Sequence, residues 1–362
     1  MSIIKRSFGK LADGREADLF ILTNASGASV EITKYGGIIR AINVPDKSGK
    51  IGNVVLGYND VNGYIPTCGY LGALIGRVGN RIANGECEVS DQKLTLAKNE
   101  NGVTHLHGGN SGFNEKLWDA TPIEGICEDN LILKYTSPDG EEGYPGTLKV
   151  MVTYTWTDEN ELLIRYEAVS DKDTLCNLTN HTYFNLEGEA SGHTIADHTF
   201  EINADTFTVV SDSKCIPTGE QRDVTGTPFD LRQPVRAGDG LDLTDKDEQM
   251  GFGGGYDHNF NVNDYEAGLR FAVEVTEPAS GRVMDVFTDM PCVQFYAGNG
   301  LESIHEGSSG RKYHKREGFC LETQFCPDSI NHPELLDTVL YAGEKYDYTT
   351  IYAFDVAGEE DA

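Results

Sequence analysis

Positive charge is scarce in this chain. Across 362 residues, 29 Lys and Arg stand against 58 Asp and Glu, a formal net charge of −29. Such a surface repels nucleic acid and anionic membrane, and it disfavours polyanionic substrates unless a local basic patch compensates. Its commonest meaning is solubility, so the charge chiefly excludes partners. Also missing is any apolar run near the ~20 residues that span a bilayer. The opening "MSIIKRSFGKLADGRE" has basic residues but not the apolar segment of a secretory signal, so a cytoplasmic protein is expected. The eight cysteines (68, 87, 127, 176, 215, 292, 320, 326) form no C-x-x-C pair, which leaves zinc and redox motifs without support. Reduced thiols, several of them buried on strands, are expected instead. There is no G-x-S-x-G nucleophile elbow, and the glycines of "GRVGNRI" (76–82) do not make a phosphate-cradling loop. Helical periodicity is nearly absent; only "PELLDTVL" (333–340) could give one or two turns.

What the chain does have is alternation. "TLKVMVTYTW" puts Leu148, Val150, Val152, Tyr154 and Trp156 on one face, and "ELLIRYEAVS" does the same with Leu162, Ile164, Tyr166 and Ala168. With the polar "TDEN" between them, the two runs predict a β-hairpin. Short runs of the same kind recur at "DLFILTN", "SVEITKYGG", "NLILKYTS", "HTFEIN", "RFAVEVTEP", "VMDVFTD" and "CVQFYAG", separated by turn clusters such as "SPDGEEGYPG". Many strands without alternating helices argue for an all-β protein of packed antiparallel sheets, and no linker or repeat divides the chain. One large domain, residues 1–362, is expected.

Several strands carry polar groups where a core or a plain exterior would be usual. "NHTYFNLEGE" (180–189), read as a strand, aligns His181, Tyr183 and Asn185 on one face. In "FCLETQFC", Glu322 and Gln324 oppose Phe319, Leu321, Thr323 and Phe325; in "PCVQFYAG", Gln294 and Tyr296 oppose Val293 and Phe295. Amides, phenols and carboxylates on one sheet face offer both donors and acceptors, which suits hydroxyl-rich ligands. Each residue also has a plainer reading. A lone strand histidine is usually satisfied within the structure, and Glu322 could be an edge charge that blocks strand addition. "HLHGG" aligns His105 and His107 on one strand side and raises metal binding of the cupin type. The nearest following carboxylate, Glu115, is eight residues away, and no metal site is expected. Glu322 and His181 then remain as an acid/base pair, the carboxylate ionised and the imidazole still able to hold a proton near pH 7.

At these residues the chain resembles the aldose 1-epimerase family, the galactose mutarotases. The likeness is an ordered series over almost the whole length: "GRVGNRIANG", "LHGG", "SPDGEEGYPGTLKVMVTYTW", "NLTNHTYFNLEG", "IPTGE", "GTPFDLRQP", "GYDHNF", "VQFYAGN" and "GFCLETQFCPDSINHP". The resemblance implies a large antiparallel β-supersandwich with a solvent-open cleft, and interconversion of the α and β anomers of aldohexoses such as D-galactose and D-glucose without a cofactor. It implies Glu322 as catalytic base and His181 as catalytic acid. Asn80, Arg81, His107, Asp257 and Gln294 fall on ligand-contacting positions, and Tyr183 is expected to join them on the binding wall. The partner is then a neutral sugar, with no nucleic acid or membrane, and the chain a monomer or homodimer. The acidic field of the protein should favour imidazolium at His181, within the limits of screening. "GFNE" (112–115) and "VVSDS" (209–213) depart from the family's usual pattern and bear on loop shape and sugar preference. Two alternatives remain: a hexose-6-phosphate epimerase, which would need basic side chains near the sugar's C6, and a non-catalytic sugar-binding module on the same fold.

Overall fold

The computed structural model describes residues 2–358. Its frame is three large antiparallel sheets. The first holds five strands in chain order, from Ser2–Lys10 to Ile51–Asn53. The second has nine and is centred on the strands Leu148–Thr157, Glu161–Ser170 and Lys345–Val356. The third has five, in the order Pro217–Asp223, Ala204–Val210, Asp257–Val262, Cys292–Tyr296, Cys320–Gln324. Only two short α-helices occur among the described residues, Ala237–Leu241 and Glu248–Gly253. None of the described helices is long and apolar enough to cross a membrane.

The expected hairpin forms, with Leu148 opposite Ser170 and Trp156 opposite Leu162. Leu148, Val150, Val152, Tyr154 and Trp156 are all buried, as their alternation requires. They join one apolar cluster that draws on all three large sheets, including Phe20 and Val30 from the first and Val293, Phe295 and Leu321 from the third. The other alternating runs also become strands, among them Glu16–Thr23, Glu128–Ser137, Arg270–Thr276 and Arg282–Thr288. Six of the eight cysteines are buried free thiols; Cys68 is half-buried and Cys127 exposed.

Two local expectations fail. "PELLDTVL" makes no helix: the chain turns there and ends in the short strand Val339–Leu340, pairing with Thr174–Leu175. "NHTYFNLEGE" is not a regular strand either. Only Thr179–Asn180 is one, paired with Leu74–Ile75. The segment beyond stays extended through single contacts. The His181 N–H donates to the Ala73 carbonyl, and Phe184 exchanges backbone bonds with Phe319. The segment runs between residues 54–56, which follow the first sheet, and Phe319, which precedes the edge strand of the third, with a single bridge to each side at Phe184.

Candidate active site

The third sheet has two unlike faces. Val293, Phe295 and Leu321 turn into the core. On the other face the register sets Asn259 opposite Gln294 and Gln294 opposite Glu322, with Asp257 opposite Tyr296 and Tyr296 opposite Cys320 in the next row. The extended segment at 180–185 lies over the edge strand, and His181 reaches across so that its Nε2 is 3.7 Å from Glu322 Oε1. Both residues are buried, yet both border a cavity of about 200 Å³. The second carboxylate oxygen, Glu322 Oε2, has no hydrogen-bond partner among the described residues.

A second wall comes from the short pair Arg81–Ile82 and His105–Leu106. His107 follows at φ 51°, in the left-handed region, and Gly108 continues the turn at φ +84°. A Cβ on Gly108 would fall 1.9 Å from the Gly76 carbonyl oxygen, so only glycine fits. The turn parts the two histidines that alternation had aligned. His107 enters the cavity, and the Asn80 N–H donates to its Nδ1 at 3.1 Å. His105 is buried elsewhere: its Nδ1–H donates to the Ala97 carbonyl at 2.8 Å, and its Nε2 accepts from the Tyr144 hydroxyl at 2.5 Å. A cupin-like H-x-H pair therefore does not form. One ligand atom each from His107, His181 and Glu322 lies within 4.8 Å of the others, a spacing that could bracket one ion. The same spacing brackets the oxygens of a small ring.

Of the eight site residues expected from sequence, Glu322, His181, Asn80, Arg81, His107, Tyr183 and Asp257 line this one cavity. Gln294 stands a layer behind, where its Nε2 donates to Asp257 Oδ1 at 2.7 Å. Asn185, aligned with His181 by simple alternation, leaves the wall. Its amide donates to the His193 and Glu317 carbonyls, because the segment lacks a strand's regular pleat. The side chains of Glu100, Tyr70 and Leu106 in the cavity escape the sequence reading, and Tyr296, placed on the polar face by alternation, was not among the expected site residues. Glu100 takes the Arg81 guanidinium in a bidentate pair, 2.8 Å at both Nε and Nη2, while Asp257 lies 3.9 Å from Nη2. Tyr70 meets the His107 ring edge-on at 4.7 Å. Tyr296 shares a strand face with Gln294, and that alternation was its one signal in the sequence.

Past Arg81, Asp257 and Tyr296 the cavity opens into a shallow polar annex of about 310 Å³, bordered by Ser213, Lys214, the C-terminal end of the helix Glu248–Gly253 and Lys315. Ser213 closes the divergent "VVSDS" segment, so that departure touches the mouth of the cleft.

Burial dominates the electrostatics. It pushes the Glu322 carboxyl up to about 8; the Asp257 charge adds to this and the Arg81 charge opposes it. It pushes His181 down to about 4, and His107 well below its usual value. The expectation of an imidazolium favoured by the acidic surface is thus reversed, because desolvation of a buried ring outweighs a screened distant field. Over most of the range between those values the pair holds one proton, resting on Glu322 in the free protein. Arg81 is held firmly charged: burial alone would lower its pKa, but Asp257 and Glu100 outweigh that.

Comparison with known proteins agrees with this architecture. The aldose 1-epimerase family model matches residues 18–353. The galactose mutarotase of Homo sapiens is 43% identical over 356 residues, covering 98% of this chain and 99% of the relative. The aldose 1-epimerase of Escherichia coli (strain K12) is 34% identical over 344 residues, covering 94% and 96%. Among solved structures, galactose 1-epimerase from Lactobacillus acidophilus NCFM superposes with a TM-score of 0.83 at 27% identity, over 99% of each chain. By sequence along nearly its whole length and by fold, the chain belongs to the aldose 1-epimerase family and is an enzyme of that class.

Proposed function

We propose that the protein interconverts the α and β anomers of free neutral aldohexoses, D-galactose and D-glucose foremost, with Glu322 as base and His181 as acid. The observation that carries this reading is the facing of His181 Nε2 and Glu322 Oε1 at 3.7 Å across one buried cavity. Anomer exchange requires the anomeric hydroxyl to lose a proton while the ring oxygen gains one, which breaks the C1–O5 bond. Glu322 takes the first proton and imidazolium at His181 supplies the second. The open aldehyde then turns about C1–C2, and closure on the other face returns both protons with the roles exchanged. No net proton is consumed. Such positioned acids and bases each contribute about 10²–10⁴-fold.

The pair's electrostatics fit this cycle. After ring opening the proton is on Glu322 and His181 is neutral, the distribution that burial favours in the free protein. Burial therefore raises the ion pair from which ring opening starts relative to the neutral pair in which it ends. Arg81, locked between Glu100 and Asp257, and the Nε2 of His107 are fixed donors for sugar oxygens, while Asp257 is an acceptor held by Gln294.

Action on a hexose 6-phosphate is the second reading, and Lys214 and Lys315 at the annex favour it. The net charge of −29 opposes it. Polarimetry of freshly dissolved α-D-galactose, α-D-glucose and glucose 6-phosphate in parallel separates the readings. We expect faster equilibration of the two neutral sugars, unaffected by a chelator and abolished in Glu322→Gln. Equal rates in wild type and Glu322→Gln would remove the base assignment, and no acceleration of any sugar would favour a binding module.

A further inference from the structure

We propose that Cys320 is a positioning residue for the proton transfer. Its sulfur accepts from Nδ1–H of His181, so that the ring keeps Nε2 toward the cleft, in one orientation, as the nitrogen that gains and loses the proton. The inference rests on the reading of His181 as the acid. Cys320 Sγ lies 3.4 Å from His181 Nδ1, within reach of an N–H···S bond given the size of sulfur. Cys320 is fully buried, and it sits two residues before Glu322 on the same face of the same strand. One short strand therefore carries both the base and the group that stands behind the acid. The ring's other nitrogen looks toward Glu322 and the cavity, where a sugar oxygen would need a donor.

The direction of the bond follows from the surroundings. The main chain of His181 is pinned on both sides, its N–H to the Ala73 carbonyl and its carbonyl to the Gly72 N–H. Tyr70, His107, Tyr183 and Tyr296 surround the imidazole as ring contacts, while Arg81 and Asp257 face it across the cavity. The thiol stays protonated, because burial and the nearby Glu322 and Asp257 charges raise its pKa well above that of an exposed cysteine. Because Nε2 faces Glu322 and exchanges the proton, the proton that neutral imidazole retains is on Nδ1, where the sulfur accepts it. His107 is held in the opposite tautomer, with the Asn80 N–H on its Nδ1.

A thiol is a weak partner in both directions. When His181 gains its second proton, Nδ1–H finds only sulfur to accept it, where a carboxylate would stabilise the cation strongly. Cys320 therefore orients the ring without making it more basic, and the imidazolium remains a strong acid toward the ring oxygen.

The test combines ¹⁵N NMR of the histidine rings with kinetics of wild type, Cys320→Ala and Cys320→Ser, each checked for an unchanged melting profile. At neutral pH the wild-type spectrum should show His181 protonated at Nδ1 and unprotonated at Nε2. Cys320→Ala should lower kcat about tenfold with KM nearly unchanged, part of the total a positioned acid supplies. Cys320→Ser, with a better acceptor, should move the acid limb of the kcat profile to higher pH. An Nδ1 without a proton in neutral wild-type His181 overturns the proposal, as do wild-type kcat and pH profile in both folded variants. Failure of the wild type to speed anomer exchange would instead remove the role of His181, while the NMR result would still decide the thiol contact.

Discussion

Glu322 and His181 are opposites in charge that share an environment hostile to both. A carboxyl raised to about 8 and an imidazole lowered to about 4 leave a wide interval in which the pair carries one proton. Anomer exchange needs that single proton, so kcat/KM should form a broad plateau that falls above about pH 8 and below about pH 4. A pH–rate series on galactose checks it. The same burial affects stability. In the unfolded chain Glu322 ionises at an ordinary carboxylate pKa, but in the folded protein only near 8. Between those values the unfolded state has lost a proton that the folded state retains, so this residue's contribution to stability falls as pH rises. Glu322→Gln removes that penalty. We expect the variant to be inactive yet to melt progressively higher than wild type as pH rises from 5 to 8, read by calorimetry. A melting difference that does not change with pH would contradict the burial argument.

Between residue and fold, the loops that carry the second wall depend on one arginine. "GRVGNRI" holds two, and they do different work. Arg81 faces the cavity, whereas Arg77 is buried and donates to the Ser137, Pro138, Pro145 and Gly146 carbonyls and to the Ser137 and Thr174 hydroxyls. Its own carbonyl accepts the Asn177 N–H, and the Asn177 carbonyl accepts the Gly79 N–H, the residue before Asn80. The clamp thus fixes the approach of Asn80 and Arg81 to the sheet pair with His105–Leu106. Arg77→Met would strand several buried carbonyls at once. We expect a loss of about 3–5 kcal/mol in unfolding free energy by urea denaturation, with the smaller loss in Arg77→Lys. A change within about 0.5 kcal/mol, typical of surface positions, would show that the loops stand without it.

For the whole molecule, the decisive quantity is the charge of −29. A neutral sugar experiences no long-range force from that field, and its encounter rate should not respond to ionic strength. An anionic sugar is repelled at long range, and added salt should raise its kcat/KM by screening. Measured from low to high salt, we expect a flat response for galactose and a rise for glucose 6-phosphate if that is turned over at all. A steep fall for glucose 6-phosphate would instead mark Lys214 and Lys315 as a working anion site.

Much of this protein could be read from alternation alone, because the side chains of a strand divide between two faces and the core claims one of them. That is why Leu148 to Trp156 on one face, and Gln294, Tyr296 and Glu322 on the other, were legible before any coordinates, and why the ordered motifs located His181, Arg81, His107 and Asp257. Period two fails where backbone leaves the pleat. The left-handed turn at His107 and Gly108 sends His107 into the cleft and His105 into the core, and the irregular segment after Asn180 keeps His181 and Tyr183 but turns Asn185 away. Glu100 and Tyr70 become site residues only through partners remote in the chain or through a loop without motif. The proton's place on Glu322 was likewise beyond the sequence. Charge counts describe a screened surface, whereas a buried pair responds to its own desolvation, and only the tertiary structure decides what is buried.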